Sequence, residues 1–195
     1  MEPRIKREAP SITTDLRSDT VQVPSVIRNC SGIRIFGKRI KSLIFTTDIA
    51  IILNNDADAV IAVYPFTPHP AVIQSIANVS TIPILSGVGG GTTQGKRSAN
   101  ISLFSEAQGS LAVVVNAPTP IDTIKQIEET VDIPIVCTIV TAYMDIQERL
   151  DAGVDILNVS GGKDTAYIVS RIREKYPDVP IIATGGPTDE TILAA

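Results

Sequence analysis

Tryptophan is absent from this sequence, histidine occurs once, cysteine twice, and aromatic residues make up only 4% of the chain. Each scarcity excludes something. Cys30 and Cys137 stand far apart without metal-ligand spacing, so a disulfide scaffold is excluded and two reduced thiols are expected. No set of histidine, aspartate and glutamate has ligand spacing, so no transition-metal site is expected. No apolar run approaches the roughly 20 residues that cross a bilayer, and the opening "MEPRIKREAP" has no apolar segment of the signal-peptide kind. The chain is therefore expected in the cytoplasm.

What is present is enough apolar residue for a core. A chain of 195 residues, 44% of them hydrophobic, falls in the size range of one domain. Its net charge of −4 hides an asymmetry, because the first 41 residues carry nine Lys or Arg against four Asp or Glu, and the remainder eight against seventeen. Residues 1–30, with Pro3, Pro10 and Pro24, read as a basic extension, solvated or wrapped on the body, and 31–195 as a single domain. A basic arm of this kind can also seek RNA or acidic partners.

From residue 43 onward, apolar runs alternate with helix-like segments. "SLIFTTD", "ADAVIAVYPF", "IPILSGVGGG", "SLAVVVNAP", "IPIVCTIVT", "VDILNVSGG" and "VPIIATGG" are seven strand signals, rich in Val and Ile and without polar alternation, as in a parallel sheet covered on both sides. Between them, "TPIDTIKQIEETVD" places Ile121, Ile124, Ile127 or Glu128, and Val131 on one face, with Thr119 as its expected cap and Pro120 in the first turn. "KDTAYIVSRIREKYPD" repeats the scheme with Ala166, Val169, Ile172 and Tyr176, and "MDIQERLDAG" ends on Gly153. The units are uniformly short, several strands open on "IP" or "VP", and no G-x-G-x-x-G follows the first strand. These features favour the parallel β/α barrel of TIM type over the doubly wound sheet. Seven strand-helix units are visible and an eighth strand is not, so "IRIFGKRIKSLIF" is expected to provide Ile33 to Phe36 as a short strand, either lining the gap or capping the barrel's bottom, with a turn at Gly37, Lys38 and Arg39. An uncovered edge would invite pairing with another chain, so a homo-oligomer is expected.

In such barrels the loops after the strands gather on one rim, where function sits. The strand-end residues are Thr47 and Asp48, Tyr64 with His69, Ser86, Asn116, Thr138 and Thr141, Ser160 with Gly161 and Gly162, and Thr184 with Gly185 and Gly186. "SGVGGGTTQGKRS", read from Gly90, nearly spells the phosphate-wrapping G-x-x-x-x-G-K-[ST] loop, but Arg97 stands where the magnesium-binding hydroxyl should be. Gly89, Gly90 and Gly91 are thus expected in a rim loop over the barrel mouth, with Lys96 able to meet an anion. The glycine pairs in "NVSGGK" and "ATGGPT" let backbone N–H groups approach a ligand closely, and the following helix adds its positive dipole end. Ser160, Gly161, Gly162, Thr184, Gly185 and Gly186 are therefore the expected phosphate-binding set.

"DAGVDILNVSGG" followed by "EKYPDVPIIATGG" resembles the closing half of the phosphate-binding barrel superfamily, which includes indole-glycerol-phosphate synthase, thiazole synthase and the flavin-binding dehydrogenase barrels. The resemblance covers about residues 130–190. It implies that Gly185 and Gly186 hold a phosphate, and flavin mononucleotide is the one cofactor it admits. The superfamily's glycine turn after strand eight has no match here. The inosine-monophosphate-dehydrogenase-like reading fails, because those enzymes need a cysteine in the loop after strand six and this loop is "SGGKDT". Cys137, mid-strand in "IPIVCTIV", is expected in the core.

A Schiff-base aldolase needs a desolvated lysine on a strand, and none is available. Asp48, His69 and Lys163 remain as candidate catalytic residues, Asp48 and His69 for proton transfer and Lys163 for pairing with an anion. Asp48 is equally a helix N-cap by position. The expectation is a lyase, isomerase or hydrolase acting on a phosphorylated small metabolite. The alternative is a non-catalytic phosphometabolite sensor resembling the glycerol-uptake antiterminator proteins, with the basic arm on RNA.

Overall fold

The structure is a computed structural model describing residues 10–64 and 66–195. Seven parallel strands follow one another in space in chain order: β3 (Leu43–Phe45), β4 (Ala59–Ala62), β5 (Ile84–Gly89), β6 (Ala112–Val115), β7 (Ile135–Ile139), β8 (Ile156–Val159) and β9 (Ile181–Ala183). The helices between them are α1 (Ile49–Leu53), α2 (Pro70–Val79), α3 (Gly95–Ala107), α4 (Ile121–Glu128), α5 (Ile146–Asp151) and α6 (Thr165–Lys175), with α7 (Asp189–Ala194) after β9. The seven expected runs are thus the seven strands.

The placement of the core distinguishes a barrel from an open sheet. Val113, Val115, Cys137, Ile139, Leu157 and Val159 point outward and pack on Ile124 and Ile127 of α4 and Ile168 and Ile172 of α6. Their neighbours in sequence, Ala112, Val114, Val136, Ile156 and Ile182, form a second cluster with Ala59, Ile61 and Leu85 that contains no helical residue. A doubly wound sheet would have helices on that face as well. The sheet curls instead, so that inward residues of β4 through β9 share one apolar cluster, and the fold is a truncated TIM-type β/α barrel, a curled sheet of seven strands whose first and last do not pair.

The floor of the concave face is filled by a hairpin. β1 (Ile33–Ile35) and β2 (Lys38–Ile40) pair antiparallel, and Ile35 and Ile40, at 3% and 2% exposure, join the inward cluster. The segment Ile33 to Phe36 therefore caps the bottom and is not a substitute barrel strand, since β1 pairs with β2 alone. The turn also differs from expectation: it is Phe36–Gly37, with φ of 46° and 80°, and Lys38 and Arg39 belong to β2. Two successive left-handed residues match the twist of a tight hairpin. The Asp58 carboxylate locks the hairpin to the sheet by accepting from the Lys41 and Ser42 amides at 2.8 and 3.0 Å.

From Arg17 to Arg28 the N-terminal segment is bonded to the body, whereas Ile12 and Leu16 before that stretch are exposed. Val21 exchanges backbone hydrogen bonds with Asn54 and Asp56, the Val23 amide donates to Asp56 at 2.7 Å, and Arg28 pairs with the same carboxylate at 3.0 Å. The short 3-10 helix Ser25–Asn29 reaches α7, so the segment runs from the β3 side of the barrel to the β9 side. Among the described residues, both β3 and β9 have a neighbour on one side only. Arg4, Lys6 and Arg7 of the basic arm lie outside the described residues.

Candidate functional site

Parallel pairing brings all the strand ends to one rim, and the inner face is apolar below and polar above. Thr138 is in register with Asn158, and Asn158 with Ile182, so Thr138 and Asn158 face inward one step above Val136 and Ile156. Thr184, two residues past Ile182, continues this polar layer. The Asn158 Nδ2 donates to Thr138 Oγ1 at 3.3 Å, while Asn158 Oδ1 and Thr184 Oγ1 are buried without a partner among the described residues. None of the seven strands carries a lysine, aspartate or glutamate. Charged chemistry at the mouth therefore has to come from the loops.

Two of the candidate catalytic residues are bound into helix starts. Asp48 caps α1, its Oδ1 accepting from the Ala50 and Ile51 amides at 2.8 and 3.2 Å. His69 caps α2: its Nδ1 accepts from the Ala71 amide at 3.1 Å, and its own amide donates to Tyr64 Oη at 2.6 Å. Since Nδ1 is occupied as an acceptor, the ring's free position is Nε2. Lys163 is exposed on the 3-10 helix Gly162–Asp164 after β8. Asp48 and His69 follow adjacent strands; Lys163 follows a strand four places beyond β4, and no hydrogen bond or ion pair among the described residues joins the three.

The six expected phosphate residues occupy the loops after the adjacent strands β8 and β9. Their backbone donors are not equivalent. Ser160 and Thr184 amides donate within the sheet to Ile139 and Val159 carbonyls at 2.8 and 2.9 Å, and the Gly161 amide donates to Thr165 Oγ1 at 3.1 Å. The Gly162, Gly185 and Gly186 amides meet no acceptor among the described residues. Ser160 and Thr184 are left with their hydroxyls to offer.

Across the mouth, the β5 loop folds back on itself through paired Gly90 and Thr93 hydrogen bonds of 3.0 and 3.2 Å. Gly90 has φ of 130°, and a Cβ there would come within 2.5 Å of Asn116 Cβ, so only glycine fits. Lys96 and Arg97 are exposed in the first turn of α3, and Gly91 is exposed at the loop tip. Ser86 is not a rim residue: β5 runs on to Gly89, and Ser86, fully buried and outward, shares a hydrogen bond of 2.7 Å with Ser110. Val63, Tyr64, Phe66, Pro68, Gly87, Gly89, Gly90 and Asn116 line a small recess of about 20 Å³ over the ends of β4, β5 and β6.

Sequence reasoning missed Asn158, which sits inside an apolar run. Its parity with Ile156 is the signal that places it inward. Thr119 is no cap either: it is buried with its hydroxyl unpartnered among the described residues, and Pro120 takes the N-cap position of α4 without a side-chain cap. Cys137 is wholly buried, as expected, and burial pushes its thiol up to about 11 despite the adjacent Arg149.

The fold and rim define a β/α-barrel protein, and comparison with known proteins agrees at that level. No family model matches the chain, and no curated protein matches it. Among solved structures it is similar to a phosphonopyruvate hydrolase in complex with oxalate and Mg2+, at 13% identity and a TM-score of 0.59, covering 80% of this chain and 72% of that one. It is also similar to the dihydrodipicolinate synthase of Aquifex aeolicus, at 16% identity and a TM-score of 0.57, covering 75% and 57% of the two chains. The 4-hydroxy-tetrahydrodipicolinate synthase of Methylacidiphilum fumariolicum SolV gives 14% identity and a TM-score of 0.56 over 70% of this chain and 54% of that one. The chain spans little more than half the length of these synthases. Among the described residues, no helix is long and apolar enough to cross a membrane.

Proposed function

We propose that this chain is a small-molecule enzyme of lyase, isomerase or hydrolase type whose ligand carries a phosphate held by the loops after β8 and β9. The observation that carries the reading is the set of unengaged Gly162, Gly185 and Gly186 amides on neighbouring strand ends. Backbone donors without acceptors suit an oxyanion. Lys163, exposed in the first of these loops, supplies a positive charge beside them. A hydrolase and two synthases among the similar solved structures support the enzyme class.

Proton transfer falls to Asp48 and His69, the carboxylate and imidazole of adjacent strand ends. Both are held by their caps, which fixes their direction before a substrate arrives. His69 presents Nε2 and Asp48 its second oxygen. Flavin mononucleotide, a cytoplasmic location and self-association belong to the same reading. Lys96 serves as a second anion contact on the β5 side of the mouth.

A thermal-shift screen of phosphorylated metabolites and flavin mononucleotide tests the ligand class, because whatever binds the folded state must raise its stability. At least one phosphorylated compound is expected to raise the Tm, and inertness toward all of them removes the phosphate claim. With a substrate found, Asp48→Asn and His69→Asn test the roles: asparagine keeps a helix cap, so folding stays intact while turnover falls by about 10²-fold or more. Full turnover in both variants would leave the proton-transfer roles without support.

A further inference from the structure

The hairpin that fills the barrel's floor has one face in the core and one in solvent. Ile35 and Ile40 join the inward cluster, while Arg34, Phe36, Lys38 and Arg39 are exposed. From Cys30 to Lys41 the chain carries four cations and no carboxylate. Arg34 stands directly opposite Arg39 across the antiparallel pair. That position brings Cβ atoms to about 5 Å from each other and is destabilising for like charges. No carboxylate offsets the repulsion, since among the described residues neither arginine nor Lys38 forms an ion pair. Carboxylates at the same end of the barrel engage other groups: Asp56 holds Arg28, Asp58 accepts from the Lys41 and Ser42 amides, and Asp155 accepts from the Ile135 amide at 2.9 Å.

Both guanidinium groups keep donors for a ligand. Arg34 uses Nη1 on the Gly37 carbonyl at 3.3 Å, and Arg39 uses Nε and Nη2 on the Ser31 carbonyl at 2.9 and 2.6 Å. Phe36 stands at the tip beside them, 67% exposed and at φ of 46°. Its ring joins none of the apolar clusters, so burial does not offset its unfavourable backbone. An exposed aromatic ring among unpaired cations is the combination that binds single-stranded nucleic acid, the cations on phosphates and the ring stacked on a base.

We propose that the exposed face of the β1–β2 hairpin binds single-stranded nucleic acid, with Arg34 and Arg39 sharing the phosphate backbone, which relieves their mutual repulsion, and Phe36 stacking on a base. This surface is distinct from the basic extension of residues 1–30, whose Arg17 and Arg28 are tied to the Leu53 carbonyl and to Asp56. It lies at the opposite end of the barrel from the glycine loops and does not depend on the phosphate reading.

The test is fluorescence anisotropy of the full chain with an end-labelled oligouridine of about 12 nucleotides, with inorganic polyphosphate as the competitor that has charge but no bases. Binding is expected to be saturable and to weaken with salt. Arg34→Gln and Arg39→Gln should each lower the slope of log affinity against log salt by about one. Phe36→Asn should weaken the oligonucleotide about fivefold or more while leaving polyphosphate unchanged. All three side chains are exposed, so each variant keeps the fold. Absence of saturable binding, or full affinity in all three variants, overturns the proposal. So does equal affinity for polyphosphate, for poly-glutamate or for vesicles of phosphatidylserine and phosphatidylcholine, which would make the face a general anion surface. Loss of binding only when Arg4, Lys6 and Arg7 are replaced by glutamine would place the contact in the extension and overturn it as well. Inorganic phosphate at the glycine loops reports separately on the proposed function, so either reading can fail alone.

Discussion

The two residues of this chain with the most reactive-looking side chains have opposite settings. His69 is exposed and fixed by a cap, whereas Cys137 is buried among Val115, Ile139 and their neighbours, beside an Arg149 guanidinium whose Nε and Nη1 find no partner among the described residues. Arg149 pulls the thiol's pKa down, but burial acts more strongly and raises it from 9.0 to about 11. The linkage has a definite sign: the unfolded chain releases this proton first, so the contribution is fully present below pH 9 and is lost as pH rises toward 11. Two pKa units correspond to about 3 kcal/mol. Urea unfolding from pH 8 to 11 should therefore show a steeper loss of stability in the wild type than in Cys137→Ala, and parallel curves would contradict the buried neutral thiol. Iodoacetamide at pH 8 should label the exposed Cys30 and spare Cys137 until the chain unfolds. At this scale the sequence was half legible. A cysteine that follows Ile135 and Val136 inside an apolar run reads as core, but that Asp48 and His69 cap helices depends on where those helices start, and Asn158 is hidden among apolar neighbours.

The element that most shapes the barrel's lower half is the β1–β2 hairpin, and its sequence contains a local conflict. Phe36 adopts φ of 46° with its ring 67% exposed, a conformation that costs a side-chain-bearing residue roughly 1 kcal/mol and suits asparagine or glycine. Phe36→Asn should raise stability by up to about 1 kcal/mol in thermal or urea unfolding; a loss would mean that the ring contributes more than the turn costs. Ile40, 2% exposed on the concave face, is the hairpin's main anchor, and Ile40→Ala should cost about 2 to 5 kcal/mol by leaving a cavity between hairpin and sheet. Strands and helices of the seven units were readable because continuous Val and Ile runs and a 3.6-residue stripe have no other good explanation. The hairpin's turn was misplaced by one residue because Gly37 is the second turn position, not the first, and the residue before it carries no turn signal. Thr119 failed as a cap for a related reason: Pro120 takes the N-cap position, and the threonine is turned inward.

On the scale of the whole molecule, uniform unit length and the lack of a dinucleotide fingerprint made the barrel legible, and the helix-free inner cluster is its structural counterpart. What closes the barrel was not legible, because edge coverage depends on contacts between segments far apart in sequence. Among the described residues, β3 and β9 each pair on one side only, Phe45 on β3 is 47% exposed, and α7 beside β9 buries none of its residues. Unpaired edges of this kind recruit a neighbour. Sedimentation should show self-association, with hydrogen exchange slowed at Leu43–Phe45 and Ile181–Ala183; a monomer exchanging freely at both strands would contradict it. The mouth above that seam carries the central claim, that neighbouring glycine loops hold a phosphate. The most direct measurement is a titration of the 15N-labelled chain with inorganic phosphate and with the best stabilising phosphorylated metabolite. The account predicts saturable shifts centred on the Gly162, Gly185 and Gly186 amides with Lys163 nearby, while shifts confined to the basic residues of the N-terminal segment, or none at the three glycines, would contradict it.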